Sequence, residues 1–289
     1  YWGYGGFAKN VISAFEIALW DIKGKYLRQP VFELLGGART DKIELYASGG
    51  LGKEDEDLAA ELRGYVEDGF HAVKIRDRDY KVTQVQTSRN AIDADVKMIV
   101  DTNQGFSPNP RRFDEALAYS KKIAEYDVWF LEEPLGVDDF EGYQRLVAAS
   151  AQPISGGETL NSAAIFRRHI IGKAFDIVQP DASVIGGIGE CHEVLTTAIE
   201  NRLQGVCHCF GAAPAQAANV HAAFAAGCSL IEWATPPNPL RDVMRTEAPV
   251  IVDGFLQKPT AYGLGIELTS EIEREFKFVP GTNNPGNFK

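Results

Sequence analysis

From about residue 43 onward, the chain alternates short apolar runs rich in β-branched residues with longer amphipathic segments. The apolar runs are typical of buried strands, and the helical period of segments such as 54–69 and 110–127 predicts helices that cover them. The eight runs, in chain order, are IELYASGG, HAVKIR, KMIVDTN, VWFLEEP, PISGGE, FDIVQPDAS, QGVCHCF and SLIEWA. Eight strands that alternate with helices predict a parallel β/α barrel rather than an open doubly wound sheet.

Ionisable residues lie at the ends of seven consecutive runs, from the second to the eighth. Any one of them is more often a solvated loop charge, but seven in succession favour a shared site. In a parallel barrel the carboxyl ends of the strands meet at one mouth, where barrel enzymes hold their active sites. The residues at these ends are Lys74 with Arg76, Asp101 with Asn103, Glu132, Glu158, Asp181, His208 and Glu232.

Three of these residues are carboxylates on successive runs. Asp101, Glu132 and Glu158 are 31 and 26 residues apart, which is close to one β/α unit each. Carboxylates brought that close repel one another unless they are protonated or neutralised by a cation. Ligation by oxygen alone favours a hard divalent ion, Mg²⁺ first and Mn²⁺ second. Strand alternation turns Glu133 away from this group, so we expect it to pair structurally, for example with a lysine.

Four residues are candidates for proton transfer and charge stabilisation. Lys74 and Arg76 are two positions apart on one strand and therefore share a face, whereas Asp181 and His208 come from neighbouring strands. A carboxylate bonded to one imidazole nitrogen fixes the tautomer and raises the basicity of the other nitrogen. His208 is therefore a candidate base or acid. The alternative is a core histidine bonded to a backbone carbonyl.

Two further motifs suggest sites that we do not expect. In Cys207-His208-Cys209 the alternation of a strand sends both sulfurs to the face opposite the imidazole, which argues against a zinc site. The glycines of Val184–Glu190 resemble a phosphate-binding turn but lack the full GxGxxG spacing. We interpret them as a tight turn from a strand into the next helix.

Composition narrows the class of protein. The 289 residues carry a net charge of −11 without a basic cluster, so we do not expect nucleic acid or an anionic membrane as a partner, and small-molecule chemistry is favoured. No apolar run approaches the ~18 residues of a membrane span. The four cysteines lack CxxC spacing and do not form a disulfide framework, so we expect reduced thiols and a cytoplasmic protein.

Several motifs together resemble the enolase superfamily, specifically its mandelate racemase branch, over about residues 11 to 268. The resemblance implies a modified (β/α)7β barrel of the TIM type with an α+β capping domain, and Mg²⁺ bound by Asp101, Glu132 and Glu158. It also implies abstraction of the proton α to a carboxylate, through an enediolate. The motifs are SAFEIALWDIKGK (13–25), LLGG (34–37), GFHAVKIR (69–76), VDTNQ (100–104), LEEP (131–134), GE (157–158), QPD (179–181) and GLG (263–265).

Three positions decide the branch and the reaction. Muconate cycloisomerases and dipeptide epimerases carry a lysine on the sixth strand, where this chain has Asp181, and His208 follows on the seventh. Arg76 stands where the family usually has a second lysine that acts as a base, and a guanidinium is a poor base. Because racemisation uses a base on each face of the carbon, the arginine favours dehydration of an aldonate or aldarate.

The resemblance also implies a role for each residue of the mouth. His208 is the general base or acid, Asp181 orients it, and Lys74 with Arg76 stabilises the carboxylate and the enediolate. Glu232 forms hydrogen bonds near the substrate oxygens, and Asn103 binds substrate together with Lys74 and Arg76. Three alternatives stay open: a racemase or epimerase, a cycloisomerase of a 2-hydroxy acid or sugar lactone, and a catalytically impaired fragment that only binds metal.

The predicted domains follow the same resemblance. Residues 1–42 are the helical end of the N-terminal capping domain, 43–245 form the barrel, and 246–289 return to the cap. Since the family's capping domain is longer and Tyr1 is not an initiator methionine, we expect a truncated N-terminus. The substrate-choosing loops would then be missing, so the sequence does not identify the substrate. We expect a homo-oligomer.

Overall fold

Parallel strands close into a barrel, as the alternation of runs and helices predicts. The computed structural model describes residues 5–53, 55–277 and 279. Within that part of the chain, eight strands follow one another around the barrel, and β1 pairs in parallel with both β2 and β8, which closes it. The strands are β1 Lys42–Ser48, β2 Ala72–Arg76, β3 Lys97–Asp101, β4 Val128–Glu132, β5 Ile154–Gly156, β6 Ile177–Val178, β7 Gln204–Cys207 and β8 Leu230–Ala234.

Helices cover the outside of the barrel. The predicted segment 54–69 forms α3, and 110–127 forms α5 followed by a 3-10 turn over Ala124–Tyr126. Acidic residues in the first turn of α5 and lysines in its last turn complement the helix dipole. The helices are α1 Phe7–Leu27, α2 Val31–Leu34, α3 Asp55–Glu67, α4 Val82–Asn90, α5 Phe113–Ile123, α6 Phe140–Ala149, α7 Ala163–Ile171, α8 Ala182–Ile185, α9 Ile188–Glu200, α10 Ala213–Ala226, α11 Pro239–Val243 and α12 Ser270–Glu275.

Strand alternation builds the floor of the mouth. Side chains two positions before the polar strand ends point inward and fill the barrel with one apolar layer. The layer consists of Tyr46, Ala72, Ile99, Phe130, Ile177, Val206 and Leu230. One alternation further along, the same inward face carries polar side chains instead, and these form the candidate site.

The sixth predicted run is only partly a strand. Its residues 175–183 give a two-residue strand, β6, and α8 already begins at Ala182. Pro180 has no N–H to donate to a neighbouring strand, so pairing stops before it. Asp181 caps α8 by accepting a hydrogen bond from the Ser183 N–H at 2.7 Å.

The glycine-rich segment 184–190 connects two helices, α8 and α9, so the prediction of a strand-to-helix turn is wrong. Gly186 and Gly187 have φ angles of 123° and 113°, which favour glycine. The carboxylate of Glu16 on α1 accepts from the N–H groups of Ile188 and Gly189 at 2.7 and 3.0 Å. The amino end of α9 therefore already holds an anion from the chain itself.

The chain after β8 is irregular. Of the described residues, those that follow β8 form only short helices, α11 and α12, and a small antiparallel ribbon of β9 Ile251–Val252 and β10 Phe255–Gln257. β10 pairs with the start of β1, with Gln257 opposite Lys42. On the outer face of β8, Trp233 lies beside α10 and segment 245–266, and the described helices that follow β8 are short.

No helix in the described part of the chain is long and apolar enough to cross a membrane.

Candidate active site

The three predicted carboxylates lie together at the mouth of the barrel. Asp101 and Glu132 end β3 and β4 and face each other in the sheet register, and Glu158 follows β5 after Gly157, whose φ is 117°. One oxygen from each carboxylate lies within 4.8 Å of the other two. Asp101 and Glu132 are buried. This geometry fits the predicted binding of one metal ion.

Neighbouring groups fix the orientation of two of these carboxylates. Asn103 has a left-handed backbone with φ of 45°, which brings its N–H to 2.8 Å from Asp101 Oδ1 and its Nδ2 to 2.9 Å from Oδ2. Glu132 accepts from Lys74 Nζ at 2.6 Å and from Gln179 Nε2 at 2.9 Å. Asn103 therefore orients Asp101, and its contact with substrate stays a prediction.

Burial and mutual repulsion make this cluster favour added positive charge. Burial raises the pKa of Glu132 to about 8, with Asp101 adding to the shift and Lys74 acting against it. Burial also raises the pKa of Glu158, against the attraction of His208. The cationic side chains of the protein do not fully neutralise these carboxylates. All of the atoms that the three carboxylates offer to a metal ion are oxygens. The cluster therefore fits a hard divalent cation.

Lys74 and Glu232 form a buried ion pair beside the carboxylates. Lys74 Nζ lies 2.9 Å from Glu232 Oε1, which also accepts from Ser48 Oγ at 2.6 Å, and Glu232 Oε2 accepts from the Cys209 N–H at 2.8 Å. Burial alone would raise the pKa of Glu232, but Lys74 and His208 outweigh it and hold the pKa well below the ordinary value. Glu232 is thus ionised and acts as an acceptor.

His208 and Asp181 form the predicted pair. His208 Nδ1–H donates to Asp181 Oδ2 at 2.7 Å, and the other oxygen of Asp181 accepts from Asn219 Nδ2 at 2.9 Å. His208 Nε2 then faces the carboxylate cluster, 3.4 Å from Glu158 Oε2. Burial would lower the pKa of His208, but Glu158, Glu232 and Asp181 raise it well above the ordinary value. The partner of this imidazole is a carboxylate and not a backbone carbonyl.

Arg76 lies on the same face of β2 as Lys74, as its spacing predicts. Its guanidinium donates to the carbonyl of Gly49 and to Ser48 Oγ, the latter at 3.2 Å, and it lies 5.1 Å from the centre of the Phe210 ring. These contacts hold a permanently charged group at the rim of the mouth.

The cysteines beside His208 point away from it, as alternation predicts. Cys207 Sγ lies 3.9 Å from Cys191 Sγ, and Cys209 Sγ lies 3.9 Å from the carbonyl of Gln216. Of the residues whose placement is described, only the three carboxylates form a group of metal-ligand type. All four cysteines are buried free thiols.

Sequence reasoning missed three residues of the site. Ser48 ends β1 on the inward face, and Gln179 stands two positions before Asp181, so alternation could have identified both. Asn219 lies on α10, where it accepts from the Ala182 N–H at 2.8 Å in addition to donating to Asp181. No pattern in α10 marks it, because most of that helix is buried.

The prediction for Glu133 is wrong. Its side chain is buried, and neither carboxylate oxygen has a hydrogen-bond partner among the residues that the structure describes. Its backbone is left-handed with φ of 45°, so the side chain does not follow the simple alternation of a strand. Burial, followed by repulsion from Glu158 and Asp101, raises its pKa well above the ordinary value.

Comparisons with known proteins agree with this geometry. Residues 57–272 match the family model described as enolase C-terminal domain-like, and residues 3–36 match that of the N-terminal domain of mandelate racemase / muconate lactonizing enzyme. An arabinonate dehydratase of Saccharolobus solfataricus is 31% identical over 282 residues, which cover 95% of this chain and 74% of that protein.

Two solved structures show the same fold. The 3,6-anhydro-D-galactonate cycloisomerase from Zobellia galactanivorans superposes with a TM-score of 0.87 at 31% identity, covering 95% of this chain and 77% of that one. A racemase from Streptomyces coelicolor A3(2) with bound magnesium has a TM-score of 0.82 at 28% identity, covering 95% of this chain and 73% of that one.

Proposed function

Because the chain belongs to the mandelate racemase / muconate lactonizing enzyme family of the enolase superfamily, we propose that it dehydrates a sugar acid, an aldonate or aldarate. The observation that carries this proposal is the 2.7 Å pair of His208 and Asp181, whose free imidazole nitrogen faces the carboxylate cluster. The arabinonate dehydratase relative supports the substrate class.

His208 moves the proton. In the neutral form of the ring, Nε2 takes the proton α to the substrate carboxylate, and the carboxylate of Asp181 stabilises the imidazolium that forms. The imidazolium then returns that proton to the departing β-hydroxyl group, so that the substrate loses one molecule of water. Asp181 keeps Nδ1 protonated and so leaves Nε2 as the atom that carries out both transfers.

Lys74 and Arg76 stabilise negative charge on the opposite side of the mouth. After loss of the α-proton, the charge moves onto the carboxylate oxygens of the enediolate, where an ammonium and a guanidinium lower its free energy. A guanidinium is a poor base, so Arg76 offers no second base. Glu232, ionised and anchored by Lys74 and Cys209, accepts hydrogen bonds from substrate hydroxyl groups. Proton removal from one face favours dehydration over racemisation.

The metal of this proposal is Mg²⁺, with Mn²⁺ as the second choice, held by Asp101, Glu132 and Glu158. When bound, the ion supplies positive charge that stabilises the enediolate. The 4.8 Å grouping of three carboxylate oxygens and the magnesium-bound racemase support this choice.

The test is a screen of aldonates and aldarates in D₂O with Mg²⁺. We expect at least one acid to give a 2-keto-3-deoxy product. The product is detected by a reagent that reacts with its keto group and by NMR. Exchange of the α-proton without loss of water would point to a racemase or epimerase, and isomerisation of a lactone to a cycloisomerase. Absence of both exchange and product across the set would leave only metal binding.

Mg²⁺ should stabilise the fold, because a ligand that binds only the native state raises the free energy of unfolding. At ~100 times its Kd, Mg²⁺ should raise the melting temperature by about 5 °C. Glu132→Gln keeps the shape of the side chain but removes one ligand charge, so it should lose most of this response. Differential scanning calorimetry with and without EDTA measures both.

Glu133→Gln is the matched control. It changes the adjacent buried carboxylate, which is outside the group of three, and it should retain the Mg²⁺ response. If neither Mg²⁺ nor Mn²⁺ shifts the wild-type melting temperature, the assignment of the three ligands is incorrect.

Arg76→Lys should change the stereochemistry of proton exchange. Lysine keeps a positive charge but loses the two-pronged geometry of the guanidinium, so part of the dehydration activity should remain. An amine beside the charge of Lys74 has a lowered pKa and can act as a base on the second face. We expect NMR in D₂O to detect α-proton exchange from the face that the wild type leaves untouched.

Arg78→Lys, the same substitution two residues further along, should leave the face of exchange unchanged. Comparable exchange from both faces in the wild type would contradict the one-base mechanism.

A further inference from the structure

A cavity of about 110 Å³ lies outside the barrel, between α10, the outer face of β8 and segment 245–266. It exists where a regular barrel would place its eighth helix. Trp233 lines it, because the alternation that turns Glu232 into the mouth turns Trp233 outward. None of the charged residues of the catalytic mouth lines this cavity.

Two buried polar side chains of α10 line the cavity with hydrogen-bond donors. Gln216 is only 4% exposed; its Oε1 accepts from Arg245 Nη2 at 2.5 Å, and its Nε2 has no hydrogen-bond partner in the described part of the chain. His221 is also buried, and its Nδ1 accepts from the Phe32 N–H at 3.2 Å, which leaves the ring proton on Nε2. Burial lowers the pKa of His221 to about 3, so this ring is neutral.

The lining also contains two cations. Arg245 and Lys258 bring positive charge to it, and each also pairs with a carboxylate outside the lining, Asp242 at 3.1 Å and Asp41 at 2.6 Å. The one carboxylate of the lining, Glu247, already accepts from the N–H groups of Thr260 and Ala261 and from Thr260 Oγ1. An unpartnered buried amide is costly unless a ligand or water accepts its hydrogen bonds.

We propose that this cavity binds a small carboxylate with a short apolar body. The carboxylate accepts from Gln216 Nε2 and Arg245, and the apolar body packs on Trp233, Val220 and Leu264. The volume suits about four to seven carbon atoms, since a cavity of about 150 Å³ accommodates benzene. Butyrate and benzoate are the probes that match this size.

The cavity is connected to the barrel mouth through two residues, Gln216 and Cys209. The carbonyl of Gln216 contacts Cys209 Sγ at 3.9 Å, and the N–H of Cys209 donates to the catalytic-site residue Glu232 at 2.8 Å. Because of this connection, a change in turnover would not distinguish binding in the cavity from an effect at the mouth. Binding is measured without Mg²⁺ and without turnover, so the result does not depend on the proposed dehydration.

Isothermal titration calorimetry of the full chain in EDTA tests the proposal, with butyrate, benzoate and the neutral butyramide as probes. We expect saturable binding of the two acids and at least about tenfold weaker binding of the amide. Ala217→Leu fills the cavity and Gln216→Glu replaces the donor with a negative charge. Each should weaken acid binding by about tenfold or more. Ala215→Leu adds the same bulk to α10 outside the cavity and should bind as the wild type does.

Three outcomes would overturn the proposal. They are no saturable binding of either acid, equal binding in the wild type and in Gln216→Glu, and a crystal structure with the acids present in which the cavity holds only water. Equal binding of butyrate and butyramide would contradict the proposal as well, because it would show that the cavity does not recognise the charge of a carboxylate. Gln216→Glu and the amide probe keep the test valid if Ala217→Leu does not fold.

Discussion

His208→Asn is expected to lower dehydration by at least about 10³-fold and to abolish exchange of the α-proton with deuterium. Asparagine can still accept or donate a hydrogen bond toward Asp181, but it cannot take up a proton near neutral pH. Glu158, one of the three proposed metal ligands, lies 3.4 Å from Nε2 and is not changed. Mg²⁺-dependent stabilisation should therefore persist in the variant while NMR in D₂O shows no exchange.

Two comparisons separate catalysis from structure. Asp181→Asn should lower the rate of dehydration by less than His208→Asn does, but still by orders of magnitude. The ring remains, while its tautomer and basicity are disturbed. His192→Asn, on α9 and away from the mouth, should leave turnover unchanged. Undiminished exchange in His208→Asn would transfer the role of base to Lys74.

The barrel and the inward face of its mouth could be predicted from the periodicity of apolar and polar residues alone. Strands of period two send alternate side chains inward, and the parallel order brings their carboxyl ends to one mouth. Alternation alone places Lys74, Asp101, Glu132, His208 and Glu232 on this inward face. The family resemblance supplies the roles that alternation cannot.

Where the backbone leaves the strand geometry, alternation no longer predicts direction. Glu133 and Asn103 both have φ of 45°, and in both the side chain takes a direction that strand alternation does not give. Glu133 stays buried without a partner, and Asn103 turns back onto Asp101. Left-handed conformations of residues other than glycine are rare and are stabilised by tertiary contacts. A single sequence therefore does not reveal them.

Partners from other elements were also beyond sequence reasoning. Asn219 reaches Asp181 from a helix nearly forty residues further along the chain, and its selection depends on how α10 packs. The unpartnered Gln216 belongs to the same class, because its surroundings come from the irregular segment after β8. Such contacts depend on side-chain packing between elements distant in sequence, which periodicity does not encode.

Lys74→Met should cause the largest loss of stability. Lys74 Nζ is buried at 2.6 Å from Glu132, 2.9 Å from Glu232 and 3.5 Å from Asp101. Removing one partner from a buried ion pair costs about 3–5 kcal/mol, because the remaining charges are left without compensation. We expect a loss of this size in the free energy of unfolding, measured by urea denaturation in EDTA at pH 8. Lys97→Met, which breaks a partly exposed pair with Glu44, should cost less than Lys74→Met, about 1 kcal/mol.

The loss in Lys74→Met should shrink as the pH falls from 8 to 5. Burial raises the pKa of Glu132 to about 8. As the pH rises from the unfolded pKa of this group toward its folded pKa, ionisation of Glu132 lowers the free energy of unfolding. Without Lys74 this decrease becomes larger. Glu232, whose pKa is lowered despite its burial, stabilises the wild type above its unfolded pKa, and the variant loses most of that contribution. The Glu232 contribution is already complete near pH 5, so the change between pH 5 and 8 comes from Glu132. A loss that stays constant between pH 5 and 8 would show that Glu132 does not titrate in this range. A loss no larger than that in Lys97→Met would show that Lys74 does not compensate buried negative charge in the folded protein.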